Sequence, residues 1–106
     1  MTVPFKISIK ATVIGGTVEA MADSVDAVAE HLDEIQQNTA EFLGFTLSSD
    51  RKARTALFSI YVDHDDSDIS VAAAHSWAVT AINAAGDVTR GWAMFAHPEE
   101  SERLPV

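Results

Sequence analysis

The residues best suited to chemistry in this sequence are carboxylates and histidines, because the chain contains no cysteine. Disulfides, thiolate zinc sites and cysteine nucleophiles are therefore excluded. The densest acidic stretch, Asp63–Asp68, could in principle offer oxygen ligands to a hard cation. It departs from the EF-hand pattern, with Asp68 in place of the loop glycine and Ala74 in place of the bidentate glutamate. We interpret it as a strand-to-helix turn capped by Asp66 or Ser67, and we predict no metal site.

The histidines show no spacing typical of metal ligands, such as two residues four apart on one helix; they are His31, His64, His75 and His97. His64 and His97 are the pair that could line one end of a sheet. The sequence has no nucleophile-elbow motif, and Gly15-Gly16 lacks the lysine of a phosphate-binding loop. We therefore predict no catalytic residue and no cofactor.

The charge balance disfavours nucleic acid as a partner. Sixteen acids against seven bases give a formal net charge of −9, and a surface that negative repels phosphate. No apolar run approaches the roughly 20 residues that span a bilayer. The alternating sequence at the N-terminus does not resemble a signal peptide. These features predict a cytoplasmic protein that contacts no membrane.

The first half of the chain predicts a strand, a helix and a second strand. Apolar residues alternate over 5–13, which is typical of a half-buried strand. Ile14–Gly16 should interrupt it, and Thr17–Met21 could continue it. Asp23 or Ser24 is the expected helix cap. The apolar stripe of the helix begins with Val25, Val28, Leu32 and Ile35 and continues through Thr39 to Phe42. Gly44 is the expected C-terminal stop of the helix.

The second half repeats this layout. Phe45 and Leu47 begin a short strand, Ser48–Lys52 is the expected hairpin connection, and Thr55–Asp63 is the next strand. A second helix should follow and end at Gly86. Its predicted packing face consists of Ile69, Ala72, Ala73, Trp77, Ala81, Ile82 and Ala85. The last strand is expected over Thr89–His97, and residues 98–106 are expected to be a polar tail.

The order of these elements predicts one α+β domain over residues 1–106. The βαββαβ order favours a ferredoxin-like sandwich, a four-stranded antiparallel sheet with both helices on one face. Such a fold separates the charges. The helical side then carries Asp23, Asp26, Glu30, Asp33, Glu34, Glu41 and Asp63–Asp68, and the open sheet face and hairpin carry Lys6, Lys10, Arg51, Lys52 and Arg54.

Two binding surfaces follow from this separation. The first, which we call the acidic helical surface, comprises Asp26, Glu30, Asp33, Glu34, Asp63, Asp65 and Asp66. The second, which we call the open sheet face, includes Lys6, Lys10, Leu57 and Tyr61. A sheet face that mixes apolar and polar groups is typical of an interface. We therefore expect a homodimer formed through sheet faces or edges.

Parts of the sequence resemble two groups of small proteins. Leu57–Asp63, an acidic turn and a helix containing His75 resemble dimeric α+β barrels of the antibiotic-biosynthesis monooxygenase type. The second resemblance is to small proteins of unknown function from actinobacteria and their phages. It is carried by Phe58–Asp63, Asp65-Asp66, the alanine-rich helix, Ala84–Gly86 and Gly91-Trp92. This second resemblance implies no reaction and no catalytic residues.

The scarcity of motifs, the small size and the segregated charges favour a non-enzymatic module that binds another protein. The acidic helical surface would meet a basic partner, and one form of this is a phage protein that occupies a host surface. The alternative is a small-molecule binder or enzyme of the dimeric α+β barrel kind. That alternative needs a cavity between sheet and helices lined by residues such as Trp77, Tyr61, Met94 and His75.

Overall fold

The computed structural model describes residues 4–13, 18–50, 52–86, 92–96 and 102–103. Two helices accompany an antiparallel sheet, which confirms the predicted α+β class. The elements in chain order are β1 (Phe5–Val13), α1 (Val18–Gln37), β2 (Phe42–Asp50), β3 (Thr55–Val62), α2 (Ser67–Ala84), β4 (Trp92–Ala96) and β5 (Glu102–Arg103). Neither helix is both long and apolar enough to cross a membrane.

The sheet is built around β1. Its strands run in the order β2-β3-β1-β4, and β5 also pairs with β1. The segment predicted as a polar tail therefore contains a strand, in which Glu102 and Arg103 pair with Lys6 and Phe5. A pairing this short and this distant in sequence leaves no periodic pattern, which is why the sequence did not predict it.

Alternation along β1 and β3 creates the core. Ile7 pairs with Ile60 and Ile9 with Phe58, and all four side chains are fully buried. The helices cover this face with Val28, Leu32, Ala74, Ala78, Ala81 and Ile82. Because side chains alternate across a strand, the residues between these positions form the opposite, open face of the sheet.

The start of α1 was predicted wrongly. The helix begins at Val18, so Asp23 and Ser24 lie inside it, and residues 18–21 do not continue β1. Ser24 is buried, four residues before Val28, and so extends the apolar stripe instead of capping it. The segment Val18–Ala22 contains alanine, glutamate and methionine, which are strong helix formers. Gly15-Gly16 and Thr17 lie outside the described residues.

The end of α1 also differs from the prediction. The helix ends at Gln37, and Asn38 Nδ2 donates to the carbonyl of Glu34 at 2.9 Å. Phe42 and Gly44 belong to β2, where the register against β3 shifts between them. Gly44 therefore marks a bulge and does not stop the helix. Polar residues at 36–39 interrupt the apolar pattern, and that interruption is the true boundary.

The start of α2 follows the prediction, and its packing face follows it in part, at Trp77, Ala81, Ile82 and Ala85. Asp66 is the N-cap, and its Oδ1 accepts from the amides of Asp68 and Ile69 at 2.9 and 3.2 Å. Ile69 is 50% exposed, and Ala72 is exposed as well. The buried residues of the helix are Ser70, Ala74, Ala78, Ala81 and Ile82. The helix carries alanine residues on all of its sides, so the pattern of hydrophobic residues alone could not locate its buried face.

The hairpin between β2 and β3 lies later than predicted. Strand β2 continues through Asp50, which pairs with Thr55. The Oδ1 atom of Asp50 accepts from the amides of Lys52 and Ala53 at 3.0 and 3.1 Å, and Arg54 closes the turn with a φ of 54°. The last strand, β4, is described over Trp92–Ala96, while the other predicted strand residues, 89–91 and 97, lie outside the described part.

Candidate functional site

The exposed side of α1 carries a line of carboxylates. Asp26, Glu30 and Asp33 follow one another at spacings of four and three, and Glu34 lies beside them. All are exposed, whereas Val28 and Leu32 on the other side of the helix are fully buried. Residues three and four apart are neighbours on a helix surface, so these carboxylates form one continuous strip.

Among the described residues, an amide and an imidazole contact this strip. Gln37 Nε2 donates to Asp33 Oδ2 at 3.0 Å, and His31 Nδ1 lies 3.7 Å from Glu34 Oε2. The sequence has no lysine or arginine from Ala11 to Asp50. Like charges four apart destabilise a helix by about 0.2–0.5 kcal/mol per pair. Asp33 and Glu34 also lie near the negative end of the helix dipole, so the strip lowers the stability of α1.

The second acidic group lies where β3 leads into α2. The amide of Asp63 donates to the carbonyl of Glu41 at 2.8 Å, which joins this connection to the segment after α1. Asp65 and Asp66 are exposed. Because Asp66 caps α2, its carboxylate has a structural role whatever else it contacts.

The four predicted residues of the open sheet face lie together. Lys6 pairs with Tyr61 and Lys10 with Leu57, and Ser8 pairs with Ser59 between them. Leu57 is 43% exposed, while Tyr61 is half-buried. The register also places Phe95 opposite Lys10. The structure thus forms one mixed surface from lysine, tyrosine and leucine side chains, on the side away from the helices.

The histidines do not gather into a site in the described part of the chain. His64 Nδ1 accepts from the amide of Asp66 at 3.0 Å, which gives it a role in the turn. His75 is half-buried on α2, and His97 lies outside the described residues. Among those residues, no group of three or more histidines and carboxylates could hold a metal ion.

Two of the residues suggested for a small-molecule cavity, Trp77 and Tyr61, lie on opposite faces of the sheet. Trp77 packs against the core and stacks on Phe42 with ring centroids 4.6 Å apart. Tyr61 lies between the buried residues Ile60 and Val62 of β3, so its side chain is on the opposite face of the sheet. Trp77 and Tyr61 therefore do not line one cavity between the sheet and the helices.

The sequence did not predict the exposed edge formed by β2. This strand is nine residues long and stands at the end of the sheet order. Its apolar residues Phe45 and Leu47 indicated a strand, but Phe42 and Gly44 were assigned to the helix. The signal that could have revealed the longer strand is the run of aromatic, leucine and threonine residues between Glu41 and Ser48, which only Gly44 interrupts.

Comparisons with known proteins give no family for this chain. No protein-family model matches the sequence, and no curated protein matches it. Among solved structures, the chain is similar to an uncharacterized protein from Thermotoga maritima, with 10% identity and a TM-score of 0.43. That match covers 99% of this chain and 100% of the other. None of these findings concerns actinobacterial or phage proteins, so that resemblance stays a prediction.

Proposed function

We propose that this protein is a non-enzymatic interaction module whose acidic helical surface binds a basic surface on another protein. The observation that carries the proposal is the exposed line of Asp26, Glu30, Asp33 and Glu34 along α1. These carboxylates repel one another in the free protein, and lysines or arginines of a partner would convert the repulsion into attraction. Complementary charge of this kind speeds association and makes it sensitive to salt.

The test is capture by the immobilised protein at low and at physiological salt. The diagnostic variant carries Asp26→Asn, Glu30→Gln, Asp33→Asn and Glu34→Gln, which remove four charges and keep the shapes of the side chains. The control variant carries Glu41→Gln and Asp68→Asn, which remove carboxylates that are exposed but lie outside the acidic helical surface. We expect a basic protein to be retained by the wild type and the control at low salt and lost with the α1 variant. Equal retention by the α1 variant, or no retained protein, would contradict the proposal.

We also propose that the domain is a ferredoxin-like sandwich. The strand order β2-β3-β1-β4 and the antiparallel pairing of β1 with both neighbours support this topology. A crystal structure is the direct test. A sheet in which β4 lies anywhere other than beside β1 would contradict it.

We propose in addition that two copies associate through the open sheet face. Leu57 and Tyr61 supply apolar surface there, and Lys6 and Lys10 flank them. Light scattering at tens of micromolar protein should give a two-chain mass. Leu57→Lys should reduce that mass toward one chain, because it adds charge at the centre of the contact. Ile69→Lys is the matched control, since Ile69 is similarly exposed but belongs to α2. A one-chain mass for the wild type would exclude this dimer.

A further inference from the structure

Strand β2 presents an edge that lacks the usual protection against further pairing. It pairs with β3 on one side, and no described residue pairs with it on the other. Edge strands expose amide and carbonyl groups, and proteins commonly guard them with lysine, proline or short length. The nine residues of Phe42–Asp50 contain neither lysine nor proline, and their single charge is Asp50 at the end.

The first part of this edge is already occupied. Gln36 Nε2 donates to the carbonyl of Leu43 at 3.1 Å, and the register shift at Phe42/Gly44 bends the strand there. At the other end, the Asp50 carboxylate binds the turn amides of Lys52 and Ala53. The stretch that remains open to another strand is Phe45–Ser49.

The helix beside this edge determines what kind of strand would bind. Helix α1 is the helix that packs against β2, and its exposed side carries Glu30, Asp33 and Glu34. A strand added next to β2 would turn every second side chain toward the helical layer. Gln36 is the α1 side chain that reaches this edge. Asp33 is exposed and lies three residues before it, so it is the carboxylate that lysine or arginine at those alternate positions would approach.

A second copy of this chain fits the edge poorly. Pairing β2 with β2 would bring two α1 helices to the same side of a joined sheet. Each α1 carries exposed carboxylates at Asp26, Glu30, Asp33 and Glu34, and like charges on the two helices oppose such an approach. The charge therefore favours a basic segment over self-association at this edge.

We propose that the Phe45–Ser49 edge of β2 binds an extended basic segment of a partner protein as an added strand, with lysine or arginine at alternate positions facing α1. Main-chain hydrogen bonds would hold the segment, and the α1 carboxylates would select its charge. This inference rests on the proposed function, because it specifies how the acidic helical surface engages its partner.

The test uses a synthetic ten-residue peptide that alternates lysine with valine or threonine. Two further peptides carry N-methyl groups on alternate residues, one in each phase. A strand pairs through one edge, so N-methylation in one phase removes the pairing amides while the other phase leaves them. We expect one phase to weaken binding about tenfold or more and the other to change it little, since several hydrogen bonds are lost together. Amide exchange should slow at Phe45–Ser49.

Charge is tested with the same peptide. The Glu30→Gln, Asp33→Asn, Glu34→Gln variant should bind it several-fold more weakly, with a shallower dependence on salt. Equal effects of the two N-methylation phases would overturn strand addition, while charge dependence in the same data would leave the proposed function intact. If only one N-methylation phase weakened binding and the α1 variant bound the peptide as tightly as the wild type, the basic-segment proposal would be overturned. That result would also count against the proposed function. No binding to any peptide would overturn strand addition alone, because the capture experiment tests the acidic surface separately.

Discussion

At the scale of single residues, the entry into α2 depends on one carboxylate. Asp66 Oδ1 accepts two amide hydrogen bonds from the first turn. We expect Asp66→Ala to lower the free energy of unfolding by about 1 kcal/mol, as is typical for loss of an N-cap. Asp66→Asn keeps the accepting oxygen and should lose much less. Urea denaturation of both variants checks this, and equal losses would show that the hydrogen bonds do not stabilise the helix.

Two glycines should respond to alanine in opposite directions. Gly86 follows α2 with a φ of +66°, a conformation that costs an L-residue about 1 kcal/mol. A Cβ added at Gly44 meets no atom within 4 Å, and Gly44 does not have the positive φ found at Gly86. Gly86→Ala should therefore destabilise the protein by about 1 kcal/mol. Gly44→Ala should be neutral or stabilising by about 0.5 kcal/mol through the unfolded chain. Thermal unfolding distinguishes them, and the opposite order would contradict the backbone assignment.

Some residue roles were predictable and others were not. The cap of α2 was predictable to within one residue, as Asp66 or Ser67, because aspartate and serine at the start of a helix accept hydrogen bonds from its free amides. The burial of Ser24 could not be read in the same way, since serine is also a common cap. Its role depends on where the helix starts, and the helix starts at Val18, six residues before Ser24. Local signals identify caps only when the boundary is already known.

At the scale of elements, the acids of α1 should reduce the stability of the helix that carries them. Glu30 has like-charged neighbours at Asp26, Asp33 and Glu34, all within one turn. Glu30→Gln should raise the free energy of unfolding by about 0.5 kcal/mol at low salt, because it removes several repulsive pairs together. Glu41→Gln is the matched control, since it removes the same unit charge outside the helix. A gain no larger than that of the control would show that net charge matters and helical spacing does not.

Whether a helix or strand could be predicted from the sequence depended on how regular its pattern of apolar residues is. Strands β1 and β3 were predictable because their apolar residues alternate and one face is buried. The packing face of α2 was predictable only in part, because alanine is both buried and exposed around that helix. The acidic side of α1 was predictable for the complementary reason, since charged residues rarely lie in a core. The open edge of β2 depends on sheet order, which no local pattern in the strand contains.

At the scale of the whole molecule, salt should affect stability and binding in opposite directions. Raising NaCl from about 10 to 150 mM shortens the Debye length from about 30 to 8 Å. With a net charge of −9, the folded protein should gain stability as self-repulsion is screened. The same screening should weaken attraction between the acidic helical surface and a basic partner. The general stabilising effect of salt on hydrophobic burial is a different mechanism, and it needs far higher salt concentrations to change the stability.

Paired measurements separate these effects. We expect the Tm of the wild type to rise across this salt range while the affinity for the lysine peptide falls. The variant with Asp26→Asn, Glu30→Gln, Asp33→Asn and Glu34→Gln should show smaller changes in both, since the four charges contribute to each. If its Tm kept the wild-type salt dependence while its affinity lost it, the α1 acids would act on binding without destabilising the fold. A Tm that falls with salt would mean that attractive electrostatic contacts in the folded protein outweigh the repulsive ones. The acids of α1 would then stabilise the folded protein, contrary to the repulsion argued above.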